Sequence, residues 1–255
     1  MALDVRQFPC LQDNYGYLIR CSETGACAAI DTPEAGKILT EARAMGWEIS
    51  DIWNTHHHWD HAGGNAAVRE QTGARVTAPA GEAEMIGHVD RAVSHGDIVT
   101  LGNQTAQVID VGGHTLGHVA YWFKQADAAF VGDALFALGC GRLFEGTPQQ
   151  MHASLSRLKA LPARTVIYCA HEYTLANAQF ALSIDPENPA LRAYSETVEA
   201  LRERNEPTVP TTIAAELEAN PFLRWDDPAL RARLGLEQAE DWEVFAEVRR
   251  RKDGF

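Results

Sequence analysis

The stretch NTHHHWDHAGGN, residues 54–65, decides how the chain is interpreted. Four of the ten histidines of the protein fall within six residues of this stretch, and Asp60 lies among them. Because side chains alternate between the two faces of an extended segment, His56 and His58 share one face and His57 points away. Two imidazoles at that spacing can bind one metal ion. A solvated polar loop, or Asp60 as a helix cap, would not explain four histidines.

The apolar pattern around this stretch predicts a mixture of strands and helices up to about residue 170. The segment ISDIWNT, residues 49–55, is a predicted strand that runs directly into the histidine cluster, and residues 64–73 form a predicted helix that ends at a glycine. Further strands are predicted at 14–21, 26–32, 74–79, 105–113, 118–124, 128–133 and 164–170, and further helices at 33–47 and 147–162.

The pattern changes after His171, where only helices are predicted, separated by prolines. We therefore predict an α/β domain at residues 1–172 and an all-helical domain at residues 173–255. The predicted helices of the second domain are 174–184, 189–205, 212–220, 228–235 and 239–252.

Three more candidate ligands follow predicted strands. His114, Asp133 and His171 each stand where an apolar run ends and a loop begins, which is where α/β folds commonly place functional residues. With the cluster they make seven candidates, enough for two metal ions that share a carboxylate. Imidazole and carboxylate ligands without a thiolate suit zinc, iron or manganese.

Composition narrows the class of protein. The formal net charge is 22 − 35 = −13, so nucleic acid is an unfavourable partner for this chain. The five cysteines include no CxxC pair, the start carries no signal-peptide pattern, and no apolar run is long enough to span a membrane. We therefore expect a cytoplasmic protein with free thiols and no membrane association.

These motifs resemble the metallo-β-lactamase superfamily and, within it, the glyoxalase II family. The segment THHHWDH is similar to the superfamily pattern T-H-x-H-x-D-H, and the likeness runs to the end of the chain. It continues through GHTLGH, GDALF, CGRLFEG, AHEYTLAN and RRRKDGF. The resemblance implies an αββα sandwich as the catalytic domain, followed by a C-terminal helical domain that binds substrate.

The resemblance also implies two divalent metal ions, with zinc expected first and iron or manganese as alternatives. Asp60 and Asp133 would be the catalytic carboxylates, and Asp133 would bridge the two ions. His57 and His118 fall outside the ligand pattern, as do His88, His95 and His152. The implied ligands are His56, His58 and His114 for the first ion, Asp60, His61 and His171 for the second, and Asp133 for both.

The implied activity is hydrolysis of S-(2-hydroxyacyl)glutathione, chiefly S-D-lactoylglutathione, by a hydroxide that bridges the two metal ions. The products would be glutathione and a 2-hydroxy acid, D-lactate, in the second step of methylglyoxal detoxification. Phe144 departs from the tyrosine of some members, which would remove a hydroxyl donor to the substrate. We expect a monomer that acts on a small-molecule glutathione thioester. The implied substrate-binding residues are Arg142, Phe144, Tyr173, Arg249 and Lys252.

Other members of the superfamily are alternatives. An iron-dependent persulfide dioxygenase has a similar motif set, but the helical tail and the RRRKDGF end argue against it. A nuclease is disfavoured by the acidic charge, and a flavin-partnered di-iron protein would carry a glutamate in place of His58. A lactamase is disfavoured by the extra domain, and a binding protein without activity would be expected to lack some of the ligands.

Overall fold

The chain divides into two units in the computed structural model, which describes residues 3–255. The first unit comprises the residues up to Asp110 together with Thr115–Gly132. The second unit comprises Val111–His114 and Asp133–Phe255. This division follows contacts within the structure, and the domain boundary predicted near residue 172 stays a prediction.

Alternating and continuous apolar runs form a six-stranded sheet in the first unit. Its first three strands are antiparallel neighbours, and the remaining strands run parallel, as expected where helices connect them. Helix α1 (Ala35–Met45) places Ile38 and Leu39 in the core beneath this sheet. In sheet order the strands are β1 (Leu3–Cys10), β2 (Asn14–Cys21), β3 (Cys27–Ile30), β4 (Ile49–Trp53), β5 (Arg75–Pro79) and β6 (Arg91–Val93).

A second sheet in the same unit is antiparallel and packs against the first through aromatic rings. Trp53 stacks on Phe123 with ring centroids 5.8 Å apart, and Tyr17 meets Phe130 edge to face at 5.6 Å. The strands are β7 (Ile98–Leu101), β8 (Gln104–Asp110), β9 (Val119–Phe123) and β10 (Ala128–Gly132). The unit also contains α2 (Trp59–Ala62), α3 (Asn65–Thr72), α4 (Ala83–Ile86) and 3₁₀ turns at Ala80–Glu82 and Lys124–Ala126.

The second unit consists mainly of helices, and three of them begin at a side-chain cap that is followed by a proline. Thr147, Asn188 and Asp227 each accept a backbone N–H of the first turn and precede a proline, which favours helix initiation. The helices are α5 (Pro148–Lys159), α6 (Thr174–Ile184), α7 (Pro189–Glu203), α8 (Ile213–Ala219), α9 (Pro228–Leu234) and α10 (Asp241–Asp253). The strands are β11 (Leu135–Phe136) with β12 (Gly139–Cys140), and β13 (Val166–Cys169) with β14 (Thr211–Thr212).

Most predicted elements are present with ends shifted by a few residues. The core of the second unit includes Leu138 from the β11–β12 turn, Ala178 and Ala181 from α6, and Leu191 from α7.

Among residues 3–255, no helix is both long enough and apolar enough to cross a membrane.

Candidate metal centre

The histidine cluster begins where strand β4 ends. His56 is fully buried and His58 is partly buried. The His56 Nε2 and His58 Nδ1 atoms lie 3.1 Å apart, and their rings meet edge to face. Two nitrogen ligands of a tetrahedral zinc ion lie roughly 3.3 Å apart, given zinc–nitrogen bonds of about 2.0–2.1 Å. The pair is therefore arranged as two ligands of one ion would be.

Helix α2 carries the next two candidates, and a buried carboxylate orients one of them. His61 Nδ1 lies 2.8 Å from Asp31 Oδ2, and its Nε2 lies 3.6 Å from Asp60 Oδ2. Asp31 also accepts the N–H and hydroxyl of Thr55 at 2.7 and 2.8 Å. A carboxylate on one imidazole nitrogen leaves the other nitrogen available to a metal, which is common at metal-binding histidines. Asn14 Nδ2 donates to Asp60 Oδ2 at 3.0 Å and fixes that second carboxylate.

The second unit contains the other three predicted ligands, and two of them, His114 and His171, lie beside the third, Asp133. Its Oδ2 lies 3.4 Å from His114 Nε2, and its Oδ1 lies 3.4 Å from His171 Nε2. All three side chains are buried. These separations exceed a strong hydrogen bond and are close to the spacing of two ligands on one ion. Each oxygen of this one carboxylate faces a different imidazole, an arrangement compatible with a carboxylate shared by two metal ions.

A backbone carbonyl fixes the state of one of these imidazoles. His114 Nδ1 lies 2.8 Å from the carbonyl oxygen of Arg142, which can only accept a hydrogen bond. The Nδ1 atom therefore carries a proton, which leaves the Nε2 atom that faces Asp133 as the candidate ligand atom.

The histidines excluded by the motif make other contacts. His57 Nδ1 lies 2.8 Å from Glu82 Oε2, and the ring of His118 stacks on His56 with centroids 4.5 Å apart. His152 packs edge to face on Trp225. Their exclusion as ligands stays a prediction.

Three of the predicted substrate-binding residues make ring contacts within the second unit, with one another or with candidate metal ligands. Phe144 is largely exposed, and its ring meets His114 edge to face at 5.2 Å. The guanidinium of Arg142 lies 5.9 Å from the centre of the Phe144 ring. Tyr173 stacks on the imidazole of His171 at 4.8 Å, with the rings parallel to within 2°. Aromatic side chains thus lie directly against two of the candidate metal ligands.

The two predicted substrate-binding cations of helix α10 differ in their surroundings. Arg249 is buried, donates to the Cys140 carbonyl oxygen at 3.1 Å and pairs with Asp253 at 2.8 Å. Lys252 is partly buried and donates to the carbonyl oxygen of Ala176 at 3.0 Å. Burial, and next the charge of Arg249, lower the pKa of Lys252 to about 8. Lys252 is therefore the cation whose charge responds most readily to a bound carboxylate.

Sequence reasoning did not identify three side chains that hold the cluster. Asp31, Asn14 and Glu82 lie far from residues 54–65 in sequence and contact the cluster only through the fold. Asp31 follows strand β3 with a backbone φ of 56°. The strand-end reasoning that indicated Asp133 could have indicated Asp31 as well, whereas Asn14 and Glu82 carry no local signal.

Comparisons with known proteins identify the family of the chain. A model of the metallo-beta-lactamase superfamily matches residues 17–171, and a model of the hydroxyacylglutathione hydrolase C-terminus matches residues 172–255. A hydroxyacylglutathione hydrolase of Maricaulis maris is 61% identical over 98% of both chains. One from Erythrobacter litoralis is 57% identical over 99% of this chain and 100% of its own.

Among solved structures, the crystal structure of ETHE1 from Myxococcus xanthus superposes with a TM-score of 0.67. It is 26% identical and covers 99% of this chain and 100% of its own. The predicted α/β fold with a C-terminal helical domain is confirmed. The chain belongs to the hydroxyacylglutathione hydrolase family of the metallo-β-lactamase superfamily.

Proposed function

We propose that this protein hydrolyses the thioester bond of S-(2-hydroxyacyl)glutathione, chiefly S-D-lactoylglutathione, to glutathione and D-lactate. Such a reaction is the second step of methylglyoxal detoxification. The observation that carries the proposal is the match to hydroxyacylglutathione hydrolases along nearly the whole chain, including the C-terminal region, at 61% and 57% identity. Members of this family are thioester hydrolases.

The proposed metal centre holds two divalent ions, with zinc as the first candidate and iron or manganese as alternatives. The donor set fits such ions because it contains imidazoles and carboxylates and no thiolate. The separations of 3.1 to 3.6 Å within each group of ligands support it. The proposed ligands are His56, His58 and His114 for one ion, Asp60, His61 and His171 for the other, and Asp133 for both.

When bound, two such ions lower the pKa of water and polarise the carbonyl that it attacks. Asp60, held by the amide of Asn14, would orient the attacking water beside its proposed role as a ligand. The leaving group is a thiol with a pKa of about 8.5, which departs as an anion without strong acid assistance. The proposed chemistry therefore assigns no general acid.

The glutathione moiety is proposed to bind to the second unit. Arg142 and Lys252 would receive carboxylate groups of the tripeptide, and the hydroxyl of Tyr173 would donate to its backbone. Phe144 would contribute an apolar surface and no hydroxyl donor. Arg249, already paired with Asp253 and the Cys140 carbonyl, would add positive charge.

A cytoplasmic location and a monomeric state complete the proposal. All five cysteines are buried and free, which fits a reducing compartment.

The test is hydrolysis of S-D-lactoylglutathione by wild-type protein, His56→Ala and the control His88→Asn. His88 is exposed and has a backbone φ of 51°, which asparagine accommodates. We expect His56→Ala to lose nearly all activity and part of its metal content, because a proposed ligand is missing, and His88→Asn to match the wild type. Full turnover with normal metal content in His56→Ala would overturn the ligand assignment. Oxygen consumption with glutathione persulfide, without thioester hydrolysis, would favour the dioxygenase instead.

A further inference from the structure

Glu82 is a buried carboxylate that the proposed chemistry does not use. It ends the 3₁₀ turn Ala80–Glu82, and only 1% of its surface is exposed. A charged side chain this deeply buried requires partners that replace water. Four donors supply them, two on each oxygen. They are the His57 N–H at 2.6 Å and His57 Nδ1 at 2.8 Å on Oε2, and the Thr115 hydroxyl at 2.5 Å and the Gly117 N–H at 2.8 Å on Oε1.

These donors belong to two segments that carry proposed metal ligands. His57 stands between His56 and His58 in the chain, and Thr115 directly follows His114. Glu82 therefore connects the backbone between His56 and His58 to the segment that directly follows His114. At Gly117 a Cβ atom would lie 2.7 Å from Glu82 Cγ, so the close approach of the carboxylate depends on a glycine there.

The contact with His57 has a direct consequence for its neighbours. Because alternate side chains of an extended segment point to opposite faces, anchoring His57 on one face directs His56 and His58 to the other. The His56 Nε2 and His58 Nδ1 atoms are 3.1 Å apart in this arrangement. His57, the middle histidine of the HHH sequence, thus has a partner of its own in Glu82, apart from the proposed ligands on either side of it.

We propose that Glu82 is a positioning residue for the metal centre, acting through His57, Thr115 and Gly117. It would hold the ligand segments in their metal-binding conformation before an ion binds. The inference rests on the proposed function, since it assumes that His56 and His58 are metal ligands. Residues that hydrogen-bond directly to a metal-binding histidine typically contribute about 10–100-fold to metal affinity, and we expect Glu82, which fixes the neighbours of three proposed ligands, to act in the same range.

The test compares the zinc affinity of Glu82→Gln with that of the wild type and of Glu84→Gln. Glutamine keeps one acceptor oxygen but turns an NH₂ group toward two donors, which breaks two of the four contacts. Glu84 is exposed and lies two residues further along the chain, so Glu84→Gln removes the same negative charge as Glu82→Gln. By competition with a chelator, we expect zinc affinity to fall about 10–100-fold in Glu82→Gln and to stay unchanged in Glu84→Gln. Equal affinity in all three folded proteins would overturn the proposal.

Thr115→Val keeps the proposal testable if Glu82→Gln does not fold. Valine has the shape of threonine and removes only the hydroxyl donor to Glu82, so we expect a smaller loss of zinc affinity, about threefold or more. The visible spectrum of the cobalt-loaded protein should also shift in either variant, because the ligand geometry changes. An unshifted spectrum with unchanged zinc affinity in folded Thr115→Val would contradict a positioning role. A wild-type protein that binds no zinc would instead reject the proposed function.

Discussion

The imidazoles of the candidate centre are oriented by side chains and carbonyls that are not ligands. Asp31 fixes His61, and the Arg142 carbonyl fixes His114, so the Nε2 atom of His61 faces Asp60 and that of His114 faces Asp133. Such bonds also set which nitrogen carries the proton, and a protonated imidazole cannot bind a metal ion. We therefore expect metal affinity at these positions to depend on residues spread over much of the chain.

Four of the proposed ligands could be predicted from sequence because their spacing is local, and the other three because each follows an apolar run. Glu82 could not, because it meets the cluster from 25 residues away and carries no local signal, whereas Asp31, 30 residues from His61, stands at a strand end that could have indicated it. Their roles depend on the parallel order of β3, β4 and β5, which sequence patterns do not specify. The ligand and substrate assignments stay predictions until variants are measured.

At the same scale, Lys252 should make substrate affinity depend on pH. Burial and the charge of Arg249 lower the pKa of Lys252 to about 8. The free enzyme therefore loses this positive charge as the pH rises through about 8. We expect the KM for S-D-lactoylglutathione to rise above that pH. In Lys252→Met the KM should be raised roughly tenfold near neutral pH and should lose this dependence, with kcat changed less.

Arg250→Met is the matched control, since Arg250 is exposed on the same helix and pairs with Glu247. Its KM should follow the wild type at every pH. A Lys252→Met enzyme with the wild-type KM and the wild-type pH profile would remove Lys252 from the substrate site.

At the scale of elements, the β11–β12 hairpin is held by side chains from two helices. Glu216 of α8 accepts the Leu138 N–H at 2.8 Å, and Asn220 donates to the Gly139 carbonyl oxygen at 3.0 Å. Asn177 of α6 donates to the Ala137 carbonyl oxygen at 3.1 Å. Leu138 has a backbone φ of 57°, so the turn adopts a left-handed conformation that these contacts stabilise.

The β11–β12 hairpin could not be predicted from the sequence. Its strands have two residues each, which is too short for alternation to be detected. Strand β1 was also missed, since it is largely half-buried and contains Pro9. By contrast, β2, α6 and α7 were predicted almost to the residue, because their apolar patterns and the caps or prolines at their ends agree.

Glu216 should make stability depend on pH. Burial raises its pKa to about 7 from an ordinary value of 4.5, so folding favours its protonated form. That contribution is fully present below the unfolded pKa and is lost as the pH rises through about 7. In Glu216→Gln the amide nitrogen can face the hydroxyls of Thr211 and Tyr194, which are able to accept.

We therefore expect Glu216→Gln to gain stability relative to the wild type as the pH rises. Urea unfolding should show the difference in the free energy of unfolding changing by about 1 kcal/mol between about pH 6 and about pH 8. The exposed control Glu84→Gln should show no such trend. A difference that is constant with pH would mean that Glu216 does not take up a proton on folding in this range.

At the scale of the whole molecule, the likeness to hydroxyacylglutathione hydrolases extends over both the α/β region and the helical tail. The C-terminal helices carry Tyr173, Arg249 and Lys252 near their ends, so thiol recognition is proposed for a region separate from the histidine motif. The net charge of −13 fits a small anionic substrate only where cations are concentrated locally, as they are at the end of α10.

The most direct test of the account compares hydrolysis of S-D-lactoylglutathione with hydrolysis of the same acyl group on a thiol that lacks the glycine carboxylate. Purified wild-type protein should hydrolyse the glutathione thioester rapidly and the truncated thioester with a much lower kcat/KM, because Arg142 and Lys252 then lack a carboxylate to bind. Equal kcat/KM for both substrates would leave a thioesterase without the proposed glutathione site. Hydrolysis of neither substrate by protein with two metal ions bound would contradict the central claim.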